Sequence, residues 1–189
     1  VLRPYLGSDD REVRRQAMVS LGRLRDANSI EFFITLLGDD DPGVRRGALH
    51  ALRDVTGLSW NEEPDPWRTW LAAQERWLAE EWPRVTADLA SRDSAVVLVA
   101  IRVAAAHPLW ADRVAPALCE VLWSGDSGLA STALTVLASL RSPASLPDLV
   151  EALRHDDESL RASAHATLRA MTGLDLPDQH GEWSAWLAG

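Results

Sequence analysis

Asp41-Pro42-Gly43-Val44-Arg45-Arg46-Gly47-Ala48-Leu49-His50-Ala51-Leu52 carries the pattern that decides how this chain folds. An Asp is followed three positions on by Val44, and then at steps of four by Ala48 and Leu52. That spacing sets the apolar side chains on one stripe of a helix. The same order recurs at Asp10, Val13, Ala17, Leu21 and Leu24, at Asp93, Val96, Ala100, Ala104 and His107, at Asp126, Leu129, Ala133, Leu137 and Leu140, and at Asp157, Leu160, Ala164, Leu168 and Met171. Each Asp stands where an N-cap carboxylate accepts orphan amide hydrogens, a contribution of about 1 kcal/mol. Ala in mid-stripe allows two helices to approach closely.

A shorter apolar segment precedes four of these helices: Ile30 to Leu37, Val85 to Leu89, Val114 to Trp123 and Leu146 to Leu153. Turns containing Gly, Ser or Asp join each pair, so the unit is a helical hairpin. A longer period encloses the short one. Shifting the chain by 116 positions lays Ser29–Leu37 on Ser145–Leu153, Thr56-Gly57-Leu58 on Thr172-Gly173-Leu174, and Trp67 and Trp70 on Trp183 and Trp186. Repeats within a repeat indicate a solenoid, in which each unit buries its apolar face against its neighbours. The expected fold is an all-α, right-handed α-solenoid of about five hairpins, with no period-two segment long enough for a strand. We expect a single array over 1–189, with a duplication of 1–73 in 117–189, a connecting repeat at 74–116 and a Trp-bearing insertion at about 58–78. Leu6 aligns with Leu37, the end of a helix beginning near Asn28, which suggests a segment of a longer array with any targeting signal outside it.

These units resemble HEAT repeats of the bacterial type also found in phycobilisome-lyase-like proteins. The resemblance rests on 41–52, on Asp10-Arg11-Glu12-Val13-Arg14-Arg15-Gln16-Ala17 and more loosely on Asp157-Glu158-Ser159-Leu160-Arg161-Ala162-Ser163-Ala164. It implies a surface for a protein partner more than any chemistry. It also implies that Arg14, Arg45 and Arg161 help to tie adjacent repeats through the turn Asp, and that the second helix of each hairpin lines the concave side. Val97 and Ala130 replace that Arg in the third and fourth repeats, and Val96–Ile101 is apolar all round, which predicts burial on more than one face.

All 19 basic residues are Arg, against 28 Asp and Glu, and the net charge of −9 opposes a general phosphate-backbone binder. The surplus is uneven: residues 1–57 hold nine Arg and nine acids, and 58–189 hold ten Arg and nineteen acids. No apolar run approaches the roughly 18 residues of a membrane span, so membrane insertion is not expected. Cys119 is the one cysteine, which excludes an intrachain disulfide and a thiolate zinc cluster, and Ala117-Leu118-Cys119-Glu120-Val121-Leu122 gives it the character of a small core residue. His50, His107, His155, His165 and His180 form no metal-ligand spacing. The acidic runs at 39–41 and 156–158 read as caps and solvated turns, so no metal and no cofactor are expected.

After Gly57 and Gly173, read as C-caps, both copies pass through polar residues to a Trp-x-x-Trp-Leu. Asp65 is expected to cap and Pro66 to open a helix in which Trp67, Trp70, Leu71, Trp77 and Leu78 share one arc. Packing explains this stripe better than ligand stacking, because it recurs at the same place in both copies. Buried, each such Trp stabilises by roughly 2–3 kcal/mol.

One surface pattern points outward. Opposite the core stripe, the second helices carry Arg15, Val19 and Gly22; Arg46, His50 and Arg53; Leu98, Arg102 and Ala105; Ser131, Thr135 and Ala138; and Ala162, Ala166 and Arg169. The set contains no acid. Arg15, Arg46, His50, Arg53 and Arg102 are therefore the candidate binding residues of a non-catalytic scaffold whose partner is a protein or an acidic peptide segment, not nucleic acid. The alternative is a HEAT-like enzyme, a lyase on bilin chromophores or a glycosylase on alkylated DNA. No convergent acid, base and aromatic group supports it.

Overall fold

A computed structural model describes residues 2–189, and every regular element in it is helical. The chain forms two compact units, one ending at Trp77 and the other running from Leu78. The first contains a 3-10 turn, Arg3–Gly7, and then α1 (Arg11–Arg23), α2 (Ile30–Leu36), α3 (Pro42–Thr56) and α4 (Pro64–Arg76). After a π-helical turn, Trp77–Glu81, the second contains α5 (Trp82–Leu89), α6 (Ser94–Ala105), α7 (Ala111–Glu120), α8 (Ser127–Leu140), α9 (Leu146–Glu151), α10 (Glu158–Thr172) and α11 (His180–Ala188). No single described helix is long and apolar enough to cross a membrane.

Each unit is a two-layer helix stack, the construction of an α-solenoid. In the first, α3 packs on both α1 and α2, and α4 packs on α2. In the second, α6, α8 and α10 form one layer, while α5, α7, α9 and α11 pack successively in the other. The stripes form the core, with Val44, Ala48, Leu52, Ala133, Leu137, Ala164 and Leu168 all buried. Leu24 does not join them. It is the C-cap of α1, one residue beyond the helix, and is 70% exposed. Nor does α6 bury its whole circumference: Val97, Ala100 and Ile101 are buried, and Val99 stands 58% exposed.

Asp10, Asp41, Asp93, Asp126 and Asp157 all occupy N-caps, each accepting from an amide of the first helical turn. A second bond closes every one of these turns. The amide of the Asp donates to the side chain two residues before it: Ser8, Asp39, Ser91, Ser124 or His155 Nδ1. Turns are also tied to one another, through Arg11 to Asp41 at 3.2 Å and Ser94 to Asp126 at 2.9 Å. Arg14, Arg45 and Arg161 act chiefly on their own turns. Nη1 of each donates to two backbone carbonyls there, Ser8 and Asp9, Asp39 and Asp40, or His155 and Asp156. Arg14 also reaches Asp39 of the following turn at 3.2 Å.

The Trp tails begin at αL glycines, Gly57 and Gly173, both at φ 74°. Thr56 and Thr172 brace these corners alike, donating to the Leu52 and Leu168 carbonyls and accepting from the amides of Leu58 and Leu174. A strap then runs back along the preceding helix. In the first unit Arg53 donates twice to the Trp60 carbonyl, at 3.1 and 2.6 Å, and Glu62 lies 3.7 Å from Arg45. In the second, His165 Nε2 bonds the Leu176 carbonyl at 2.8 Å and Arg169 pairs with Asp175 at 2.6 Å. Trp67 and Trp183 lock the straps from beneath. Both are fully buried, and each Nε1 donates at 2.9 Å to a carbonyl six residues earlier, of Asn61 and Pro177. Helix α4 starts at Pro64, not Pro66, because Pro64 suits the first position equally well and the extended Glu63 precedes it; Asp65 pairs with Arg68 instead of capping.

Two predictions follow from the caps and the tails. Asp26 is drawn below the ordinary carboxylate range by its bond from Arg3, and Asp41 and Asp126 chiefly by amides of their helix N-termini. A lowered folded pKa contributes stability that is present above the unfolded value near 3.8 and lost as pH falls through the folded values. The urea midpoint should therefore fall steeply with acid below that value, and Asp41→Asn with Asp126→Asn should flatten the fall while keeping the caps. Trp67→Ala should remove about 3–5 kcal/mol, read from denaturant unfolding, by opening a cavity and orphaning the Asn61 carbonyl.

Candidate functional site

The residues read as an outward ridge do not all remain available. On α1 and α3, Arg15, Arg46 and His50 are exposed, and Val19 is 39% exposed. Helices α1 and α3 pack closely here. A Cβ on Gly47 would stand 3.0 Å from the Met18 methyl and 3.6 Å from Arg15 Cγ, so the stem of Arg15 lies over α3 at Gly47, the residue after Arg46. Arg46 has no ion pair among the described residues, and Arg15 has a long one to Glu12, at 3.7 Å with both side chains more than half exposed. Exposed pairs of that kind are weak and leave the guanidinium able to take another acceptor.

Gly22 and Arg53 are corrections to the expected ridge. Gly22 is buried where α1 meets α3, its missing Cβ leaving 3.0 Å to Ala51 Cα. Arg53 is half-buried with its fork spent on the Trp60 carbonyl. An acid also edges the ridge, since Asp54 Oδ2 lies 3.6 Å from the Gly22 Cβ position. The basic part is therefore the N-terminal portion of the α1/α3 face, around Arg15 and Arg46.

The corresponding face of the second unit differs in chemistry. Arg102 is exposed on α6, but its neighbours along that layer are Leu98, Ala105, Ser131, Thr135, Ala162 and Ala166, and Arg169 is neutralised by Asp175. The acid-free pattern thus resolves into a basic face on one unit and a nearly uncharged face on the other.

Groups suited to catalysis are held in structural roles. Cys119 is buried, and burial, reinforced by Asp148, pushes its thiol far above the ordinary range, so it stays protonated. Burial lowers the pKa of His107. His155 serves the α10 turn and lies tilted against Trp123 with ring centres 5.2 Å apart, His165 holds a strap, and His180 pairs with Glu151 at 3.1 Å. Sequence spacing showed none of these roles, because each partner is a backbone atom or a residue from another element. An open depression of about 610 Å3 lies at the first two turns, lined by Ser8, Asp9, Arg11, Arg14, Asp39 and Asp41 among others. Its cations are taken by its own carboxylates, Arg11 by Asp41 and Arg14 by Asp39, both at 3.2 Å. Among the described residues no three His, Cys, Asp or Glu are grouped to hold a metal ion.

Comparison with solved structures finds likenesses of low overlap. An engineered protein is 22% identical, with 97% of this chain and 86% of that one covered and a TM-score of 0.38. A second engineered protein is also 22% identical, covering 90% and 77%, at 0.34. The complex of CpcE and CpcF of phycocyanin lyase from Nostoc sp. PCC7120 is 19% identical, covering 100% of this chain and 69% of that one, at 0.36. No curated protein matches the sequence. A family model of HEAT repeats matches residues 1–68, which span the first two Asp-capped hairpins and the strap after them. Residues 1–68 therefore carry HEAT repeats.

Proposed function

We propose that this chain is a non-catalytic interaction module, and that its first unit docks an acidic peptide or protein segment on the exposed face of α1 and α3. HEAT repeats generally mediate protein interactions, and stacked repeats offer extended surfaces for doing so. The observation that carries the finer reading is the exposure of Arg15 and Arg46 on two closely packed helices, with the stem of Arg15 over Gly47 and His50 one turn on from Arg46, inside a chain of net charge −9. An isolated basic patch on an acidic protein attracts and orients a partner of opposite sign while the remaining surface repels it. Nucleic acid fits poorly, since the surrounding charge opposes a phosphate backbone.

Arg53 has no part in this contact, because its loss frees the strap. The test is Arg15→Ser with Arg46→Ser, using a fluorescein-labelled oligoglutamate peptide and anisotropy. The double variant should bind about tenfold more weakly, two exposed ion pairs' worth, with the melting temperature unchanged. Added salt should weaken wild-type binding in the same way. Equal affinity of wild type and variant would remove this face as the site.

A further inference from the structure

The two layers do not end alike. On α1, Met18 and Gly22 face α3, whereas Arg53 of α3, 31 positions after Gly22, grips the Trp60 carbonyl of the 58–63 strap. The second unit repeats the arrangement. Leu134 of α8 is buried in the layer that meets α10, and 31 positions on His165 bonds the strap carbonyl of Leu176. Each strap therefore runs along the flank of its second-layer helix. On α3 this leaves Arg46 and His50 open between α1 on one side and the strap on the other.

That strap is fixed before any partner arrives. Gly57 turns it back with its amide on the Arg53 carbonyl at 2.8 Å, Arg53 holds it midway, and the buried Trp67 indole holds Asn61 at its far end. It is also acidic. Glu62 and Glu63 are exposed on it, and the contact of Glu62 to Arg45 is long, 3.7 Å, with the Arg45 Nη1 already committed to the Asp39 and Asp40 carbonyls. A carboxylate so weakly engaged keeps acceptor capacity for an incoming cation.

From this geometry we infer that the strap is one wall of the α1/α3 site, and that Glu62 and Glu63 select partners in which basic residues flank the acidic stretch. The floor is basic, the wall is acidic, and a peptide carrying both signs satisfies both without ordering the strap. This rests on the docking face proposed above.

The experiment uses the full chain and two labelled probes, an oligoglutamate peptide and the same peptide extended by lysines. Relative to the unflanked probe, wild type should favour the flanked one by about fivefold more than Glu62→Gln/Glu63→Gln does, as expected for exposed ion pairs. Comparing the two ratios cancels the flank's effect on the charge of the probe itself, and thermal melting confirms that both proteins are folded. The same ratio in wild type and variant, with binding still dependent on Arg15 and Arg46, overturns the wall and leaves the docking face standing. Failure of wild type to bind either probe overturns both.

Discussion

A second-layer helix of a hairpin stack exposes its flank wherever no further helix packs on it. In the interior of a stack the neighbouring helix covers that flank; elsewhere something else must, or apolar surface and backbone groups stay unsatisfied. This chain meets the need with an irregular strap, which brings its own difficulty, because the strap's carbonyls are partly sheltered from water. Tryptophan answers both demands. The indoles of Trp67 and Trp183 fill the volume beneath the strap and donate Nε1 to a strap carbonyl, which phenylalanine would leave unpaired. Helices α4 and α11, which carry these Trp, pack on α2 and α9.

The helical hairpins and their caps were legible in the sequence because they depend on local rules. An Asp before a stripe, an αL glycine after it and a 3.6-residue period need no knowledge of distant partners. The second bond in each turn was not legible, since Ser8, Asp39, Ser91, Ser124 and His155 share only an acceptor atom two residues before the Asp. Spacing sees residue type, and these types differ. The ridge was legible as a face but not as a site. Whether a residue on that face is free depends on what packs beside its helix, and this separates Gly22, buried against Ala51, and Arg53, bonded to the strap, from Arg46 and His50. Val99 is the converse case, an apolar residue that helical pattern assigned to burial and that no neighbouring element covers.

Arginine is the only strong cation this chain uses, and on the second-layer helices its position along the helix sets what it does. One residue past the stripe's first apolar position, at Arg14, Arg45 and Arg161, the side chain reaches back to two carbonyls of its own turn. Near the C-terminal ends of α3 and α10, at Arg53 and Arg169, it meets the strap. A planar fork suits both tasks, because carbonyl pairs and carboxylates accept parallel donors. Such positions would be filled by Arg whether or not the protein bound anything. Arg15 and Arg46, one residue further round from the turn-binding copies, do neither task, so no internal carbonyl or strap accounts for them. Five of the nineteen arginines, Arg14, Arg45, Arg53, Arg141 and Arg161, spend donors on the chain's own backbone, and Arg15 and Arg46 are among those left to answer to a partner.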